Sequence, residues 1–366
     1  MQQESFPFMN DRFHSHPVHK GRGSTTNLPG RFESRHTTPC YDDWEEGMEM
    51  PRAPETEFRV DHSRIIISTN DSEDISFNRS VNAYKGCEHG CIYCYARQTH
   101  AYLDLSPGLD FETKIYYKPN AVQLLKKELG KRGYRCEPIA MGTNTDPYQP
   151  GERKFRITRS MLEVLRDCRH PASIVTKGAL IERDIDILTD MAAMNLIKVF
   201  VSLTTMNTGL KRLMEPRTAS LQRRLKVIAR MHEARIPVGA MIAPVIPGLT
   251  DHELESLMEV AHDAGAQFLG YILLRLPHEV RDVFVDWLQT HFPDRAAHIM
   301  SLVRQTRGGR DYDSRYGQRH TGTGLFADLI AQRFAVKRAK LGLDKPLPGL
   351  CITLFKPPGG EQLSLL

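Results

Sequence analysis

The sequence predicts an α/β fold: a partial (β/α)6 barrel, with an extended N-terminal arm before it and a basic C-terminal α/β extension after it. Three observations carry that prediction. Short apolar or β-branched runs recur from about residue 80 onward, amphipathic helical stretches separate them, and the runs are almost continuously apolar. Strands buried on both faces, as in a parallel sheet flanked by helices, read this way. A doubly wound sheet is the competing arrangement. In either, functional groups belong at the C-terminal ends of the strands.

Residues 1–58 form the arm, rich in Pro, Gly, Ser, His and Arg and without a sustained period. His14, His16 and His19 in it read as groups of a solvated polar segment rather than as metal ligands. The barrel spans 59–295. A first strand runs into Gly86, and five more are "PIAMGT" (138–143), "SIVTK" (173–177), "KVFVSLT" (198–204), "PVGAMIAP" (237–244) and "QFLGYILL" (267–274). Between them, Ile181, Ile185, Leu188 and Ala192 share one helix face, as do Leu254, Leu257, Met258 and Ala261. Thr250 and Glu253 have the spacing of a capping box at the start of the second helix.

Residues 296–356 form the extension. "RQTRGGRDYDSRYGQRHTGTG" opens it. A helix follows with Phe326, Leu329, Ile330 and Phe334 on one face and Gly342 as its stop, and "LCITLF" is a candidate last strand. "KPPGG" then detaches a flexible tail, so that 357–366 is a separate segment.

Composition narrows the class. With 366 residues, 40% hydrophobic and 25% charged, this is a globular protein with a sizeable core. The longest uncharged apolar stretch, Val238 to Thr250, is broken by Pro244 and Pro247, so no membrane span is expected. The N-terminus has no continuous apolar run of a secretory signal, which makes the cytoplasm the expected location. In a reducing compartment, clustered thiols read as metal ligands rather than as disulfides. The net charge of +5 is uneven: residues 301–345 carry ten Lys/Arg against four Asp/Glu, and residues 1–60 carry seven against ten. An anionic partner is expected to meet the C-terminal part, where Arg307, Arg310 and Arg315 could contact phosphates and tyrosines could stack bases.

The chemistry centres on "KGCEHGCIYCYAR", residues 85–97, with Cys87, Cys91 and Cys94 spaced C-x3-C-x2-C. Three thiolates from one loop leave the fourth iron of a [4Fe–4S] cube with an open coordination position for a small molecule. A zinc knuckle completed by His89 is the alternative. Zinc favours paired C-x2–4-C units, and no second half-site stands out.

This motif resembles that of the radical S-adenosylmethionine (SAM) superfamily, in which an aromatic residue precedes the last cysteine, as Tyr93 does here. The resemblance runs from about residue 62 to 290 and implies a partial barrel, a [4Fe–4S] cluster, SAM chelated at the open iron, and an electron donor of flavodoxin or ferredoxin type. It further implies reductive cleavage of SAM to a 5′-deoxyadenosyl radical that takes hydrogen from substrate. Within the superfamily the chain looks most like the spore photoproduct lyase branch, the "DNA repair photolyases". "CIYCYA" matches its tyrosines, Tyr93 and Tyr95, and "VTK" and "VSLTT" place Lys177 and Ser202 at strand ends. The resemblance implies SAM contacts from Lys177 and Ser202 and a hydrogen-relay role for Tyr95; Tyr93, Thr143 and Arg217 are candidate cofactor contacts beside them. Glu215 and Arg275 are further candidates for the SAM ribose or carboxylate. One departure stands out. Where the lyase has a hydrogen-donor cysteine, "AMGTNTDPYQPGE" offers Met141 or Gly142, which argues against spore photoproduct itself as substrate. Asn144, Asp146, Tyr148 and Gln149 in that stretch are candidate substrate contacts. The "GRG" and "RF" of the arm add to a match with a bacterial subfamily.

Three functions follow from the sequence: a radical SAM enzyme acting on DNA or RNA, the same chemistry on a protein or small metabolite, and a non-enzymatic iron–sulfur module. The SAM-side residues favour an enzyme. The tail adds a partner. Gln362, Leu363, Leu365 and Leu366 resemble the peptide by which bacterial replication and repair proteins dock on the β sliding clamp.

Overall fold

Parallel strands covered on both faces need apolar side chains at nearly every position, and the runs from residue 138 supply them. The computed structural model describes residues 19–33, 54–346 and 348–359. In chain order the strands are β1 Glu57–Val60, β2 Ile67–Thr69, β3 Arg79–Val81, β4 Tyr84–Lys85, β5 Lys114–Tyr117, β6 Ile139–Met141, β7 Ala172–Thr176, β8 Ile197–Leu203, β9 Val238–Val245 and β10 Phe268–Leu273. The main sheet has the order β10-β9-β8-β7-β6-β3-β2. Its strands from β3 to β10 run parallel, and β2 lies antiparallel on the β3 edge. Ile174, Val199 and Ile242 on these strands are fully buried, each side chain contributing about 1.5–3 kcal/mol. Helices follow the strands in alternation, which makes the partial barrel.

The first strand is split rather than continuous. β3 belongs to the main sheet, but after Asn82 the chain crosses to a small sheet of order β1-β5-β4. There Lys118 N–H donates to Ala83 O at 3.1 Å, and β4 pairs antiparallel with β5. This crossing delivers the cysteine loop to the barrel mouth.

Four local expectations change. Thr250 and Glu253 do not form a capping box: Thr250 Oγ1 accepts from Ile246 N–H at 2.9 Å, and Glu253 Oε2 accepts from Met206 N–H at 3.0 Å. Both side chains bond the preceding loops instead, and a short 3-10 turn, Asp251–Glu253, leads into helix Leu254–Asp263. The helix predicted from Ile181 likewise begins as a 3-10 turn, Ala179–Asp184, before Ile185–Ala193 becomes α-helical. In helix Leu325–Lys340, Ile330 and Phe334 are buried, but Leu329 is half exposed. "LCITLF" is not a strand. Its neighbours are loops, with single bonds from Cys351 N–H to Asn195 O (2.9 Å) and Lys356 N–H to Cys168 O (2.8 Å). No described helix is long and apolar enough to cross a membrane.

Candidate active site

The loop after β4 turns tightly because Gly86 (φ +80°) and Gly90 (φ +66°) take left-handed backbone that side chains disfavour. Cys87 N–H donates to Phe111 O at 2.9 Å, Ile92 N–H to Met214 O at 3.0 Å, and Cys94 N–H to Cys91 O at 3.2 Å. Cys87 and Cys91 are buried and Cys94 partly so. Burial pushes all three thiols upward, so each needs a metal to become a thiolate.

The stretch 143–149 holds this loop from beneath. Gln149 is fully buried: its Oε1 accepts from Glu88 N–H at 2.9 Å, and its Nε2 donates to Gly86 O at 3.3 Å. Thr145 Oγ1 donates to the same carbonyl at 2.6 Å. Asp146 accepts from Thr176 Oγ1 (2.6 Å) and Lys177 N–H (2.7 Å), and lies 3.3 Å from His89 Nδ1. Burial would raise the Asp146 carboxyl, but His89 and these donors hold it at about 2. Tyr148 is also buried. Asp146, Tyr148 and Gln149, expected as substrate contacts, therefore pack the floor of the mouth. Asn144 is partly exposed, with its N–H bonded to Asn82 Oδ1 at 3.0 Å.

Above that floor, Lys177 Nζ lies 2.5 Å from Ser202 Oγ and 5.8 Å from the centre of the Tyr93 ring. The Tyr93 hydroxyl donates to Glu215, which also accepts from Thr204 Oγ1 at 2.7 Å and pairs with Arg224. Burial opposes the Glu215 charge, yet Arg224 and then Lys177 hold its carboxyl at about 2. Glu215 is thus a buried structural anion and not a surface for ribose. Arg217 is committed to Glu88 (3.2 Å) and Thr56 (3.3 Å), so it ties the loop to the arm side rather than joining the Lys177–Ser202 pair. Thr143 Oγ1 accepts from Asn82 Nδ2 at 3.1 Å, and its carbonyl accepts from the Tyr95 hydroxyl.

Tyr95 stands at the mouth, 38% exposed, with the Arg275 guanidinium 5.0 Å from its ring centre. Arg275 in turn meets His320 Nε2 at 2.8 Å and the Tyr312 hydroxyl at 3.5 Å. Asp74, in the loop after β2, pairs with Arg319 (2.5 Å) and lies 3.5 Å from His320 Nδ1. His320 O also accepts from Leu273 N–H on β10 at 2.9 Å. β2 and β10 are opposite edges of the main sheet, so these groups clasp the open barrel shut beside Tyr95.

A family model described as the radical SAM superfamily matches residues 81–261. An uncharacterized protein of Mycobacterium tuberculosis is 36% identical over 233 residues, covering 63% of this chain and 68% of that protein. An uncharacterized protein of Methanocaldococcus jannaschii is 31% identical over 214 residues, 58% of this chain and 76% of that one. The chain belongs to the radical SAM superfamily. Its fold is similar to that of spore photoproduct lyase complexed with dinucleoside spore photoproduct, with a TM-score of 0.53, 16% identity, and coverage of 78% of this chain and 79% of that one.

As a radical SAM enzyme the chain uses a [4Fe–4S] cluster and SAM. The donor set fits a cube. A single zinc ion needs its thiolates about 3.8 Å apart, as Zn–S bonds of about 2.3 Å dictate. Among the described residues no three His, Cys, Asp or Glu side chains group around one ion. Two buried thiols and a partly buried one, all carried on a single loop, suit a cluster instead. When bound, cluster and SAM supply the electron and the 5′-deoxyadenosyl radical that opens the reaction. Tyr93, Lys177 and Ser202 are brought together next to the cysteine loop, and Tyr95 and Thr143 meet at its rim.

The arginine expectation needs correction. Arg307 is buried and donates to Gln318 O (2.9 Å), Leu273 O (3.3 Å) and Leu274 O (2.7 Å), so it is a brace and cannot meet phosphate. Arg310 and Arg315 are both exposed, Arg315 with an ion pair to Asp313 at 2.6 Å. Gln362, Leu363, Leu365, Leu366, His14, His16 and Cys40 lie outside the described residues. Sequence reasoning passed over Arg97, Glu112, Asp74 and His320. Only Arg97, next to the cysteine motif, carried any local signal.

Proposed function

We propose that this radical SAM enzyme repairs or modifies a nucleic-acid base presented at the barrel mouth. The observation that carries the reading is the set of planar groups there. Tyr95 lies under Arg275, Arg275 reaches Tyr312, and the half-exposed Tyr316 faces Arg319 at 4.9 Å. Aromatic and guanidinium faces of this kind stack unpaired bases. The fold shared with a lyase complexed with dinucleoside spore photoproduct supports the same reading. Lys177, Ser202, Tyr93 and Thr143 hold SAM, and Asn144 and Arg310 contact substrate. The electron donor is of flavodoxin or ferredoxin type. The tail, through Gln362, Leu363, Leu365 and Leu366, brings the cytoplasmic enzyme to the β sliding clamp.

Tyr95 takes part in hydrogen relay at the mouth. Burial of its hydroxyl, then the nearby Cys94, pushes its pKa up to about 12, so the phenol keeps its proton at neutral pH. A cysteine cannot substitute at Gly142: its Cβ would lie 2.1 Å from Val175 O. Met141 is buried in the core. The reaction therefore differs from thiol-quenched reversal of spore photoproduct.

The test combines purified, reduced, cluster-loaded protein with SAM and DNA or RNA oligonucleotides, alongside nucleoside mass spectrometry of cells with and without the chain. The expected result is oligonucleotide-dependent 5′-deoxyadenosine and one altered nucleoside. A change confined to protein or metabolites would replace this substrate class. A peptide of residues 357–366 should capture purified clamp, and Leu365→Ala with Leu366→Ala should abolish capture.

A further inference from the structure

The described part of the arm does not lie loosely on the barrel. Gly23 sits on the cysteine loop so closely that a Cβ there would be 1.9 Å from Gly90 O. A few residues on, Thr26 O passes Gly108 in the same way, where a Cβ would be 2.1 Å away, and it accepts from Leu109 N–H at 3.2 Å. Two close approaches between backbones inlay the arm against the wall of the loop. Gly23, Ser24, Thr25 and Thr26 are buried by it.

Charge ties the same groups together. Arg97 and Glu112 are both fully buried and pair at 2.5 Å. Arg97 Nε donates to Cys91 O at 2.9 Å. Glu112 accepts from Gly23 N–H and Ser24 N–H, both at 2.9 Å. Arg22 donates to Glu112 O (2.9 Å), Pro54 O (2.6 Å) and Thr56 Oγ1 (3.1 Å). A continuous polar chain therefore runs from the arm amides through Glu112 and Arg97 to the carbonyl of the second cysteine. A buried carboxylate with three such donors, Gly23 N–H, Ser24 N–H and Arg97, has one geometry, because each lost donor leaves charge unsolvated.

We propose that residues 22–26 are a strap that seals the cluster loop, and that Glu112 is the positioning residue through which the strap fixes the backbone of Cys91. The strap's function is to keep oxygen and water from the cluster between turnovers. This rests on the cluster and not on the substrate, so the two readings fail separately.

The experiment uses the full chain, reconstituted anaerobically with iron and sulfide and then exposed to air, with loss of the cluster's visible absorbance followed over time. Gly23→Ala forces the strap off Gly90, while Arg22→Ala removes bonds without adding an atom. Both variants should load iron normally, with a lowered melting temperature in the apo form as the strap's bonds are lost. Their clusters should bleach about fivefold faster, the change in local opening expected from losing about one net hydrogen bond. The reduced cluster of each should also show a broadened electron paramagnetic resonance signal, which a purely structural role would leave unchanged. Bleaching at the wild-type rate in both variants overturns the strap. Should Gly23→Ala fail to fold, Arg22→Ala decides alone.

Discussion

Lys177 and Ser202 come from adjacent strands, β7 and β8, yet their side chains meet because Asp146 fixes the Lys177 backbone while Ser202 Oγ donates to Ala243 O at 3.1 Å. An ammonium held beside a hydroxyl in this way suits a carboxylate ligand. Lys177→Ala and Ser202→Ala should each weaken SAM binding to the loaded enzyme by about 1–3 kcal/mol, measured by calorimetry. Wild-type affinity in both would remove these residues from the SAM site. Tyr95→Phe should leave that affinity intact and lower product formation, since it deletes only the phenolic hydrogen; equal turnover would exclude Tyr95 from the relay. Gln149→Leu acts differently. It strands Glu88 N–H in a buried site and leaves Gly86 O with Thr145 alone, so iron content should fall and the apo protein should lose about 1–3 kcal/mol in denaturant titrations.

At the scale of elements, β6 to β10 were legible because strands covered on both faces announce themselves as apolar runs. The C-terminal ends of those runs correctly located Lys177 and Ser202. β1, β4 and β5 were not legible, since "EFRV", "YK" and "KIYY" are short and gain their pairing only from each other. The cysteine loop was readable because its chemistry lies within one short segment. The partners of the arginines were not: Arg307 finds carbonyls on β10 and its flank, and Arg319 finds Asp74 across 245 residues. Spacing cannot reveal such neutralisation. Burial and the nearby Arg275 pull the Arg307 guanidinium down to about 10, against the three carbonyls that favour its charged form. Arg307→Met should therefore destabilise the extension by about 3 kcal/mol. It should leave the salt slope of oligonucleotide binding unchanged, whereas Arg310→Ala should flatten it by about 1. A slope that falls with Arg307→Met would mean that this side chain leaves its brace to meet phosphate.

For the whole molecule, acid should act in two stages. His100 and His170 are held at about 4 by burial, below the 6.5 of a free imidazole. His170 Nε2 faces the Tyr134 hydroxyl at 2.9 Å and its Nδ1 faces Pro171 O at 3.0 Å, a bonding pattern for a neutral ring. The unfolded chain binds these protons first, so stability is complete above pH 6.5 and declines as pH falls to about 4, by roughly 3 kcal/mol for each histidine. Asp146 and Glu215, held at about 2, add a second loss below the usual carboxylate range. Denaturant midpoints of the apo protein between pH 7 and pH 4 should show the first stage, and His170→Gln should reduce its slope; a flat profile would contradict neutral buried rings. The clasp between Asp74 and Arg319 has a consequence in time. Its halves are 245 residues apart in the chain. At about 5–20 residues per second, a ribosome needs roughly 10–50 s to bring out the second half after the first. For most of that interval the three cysteines are already synthesised while the clasp beside Tyr95 has only its first half, so the sheet edges stay unlatched until the end of synthesis.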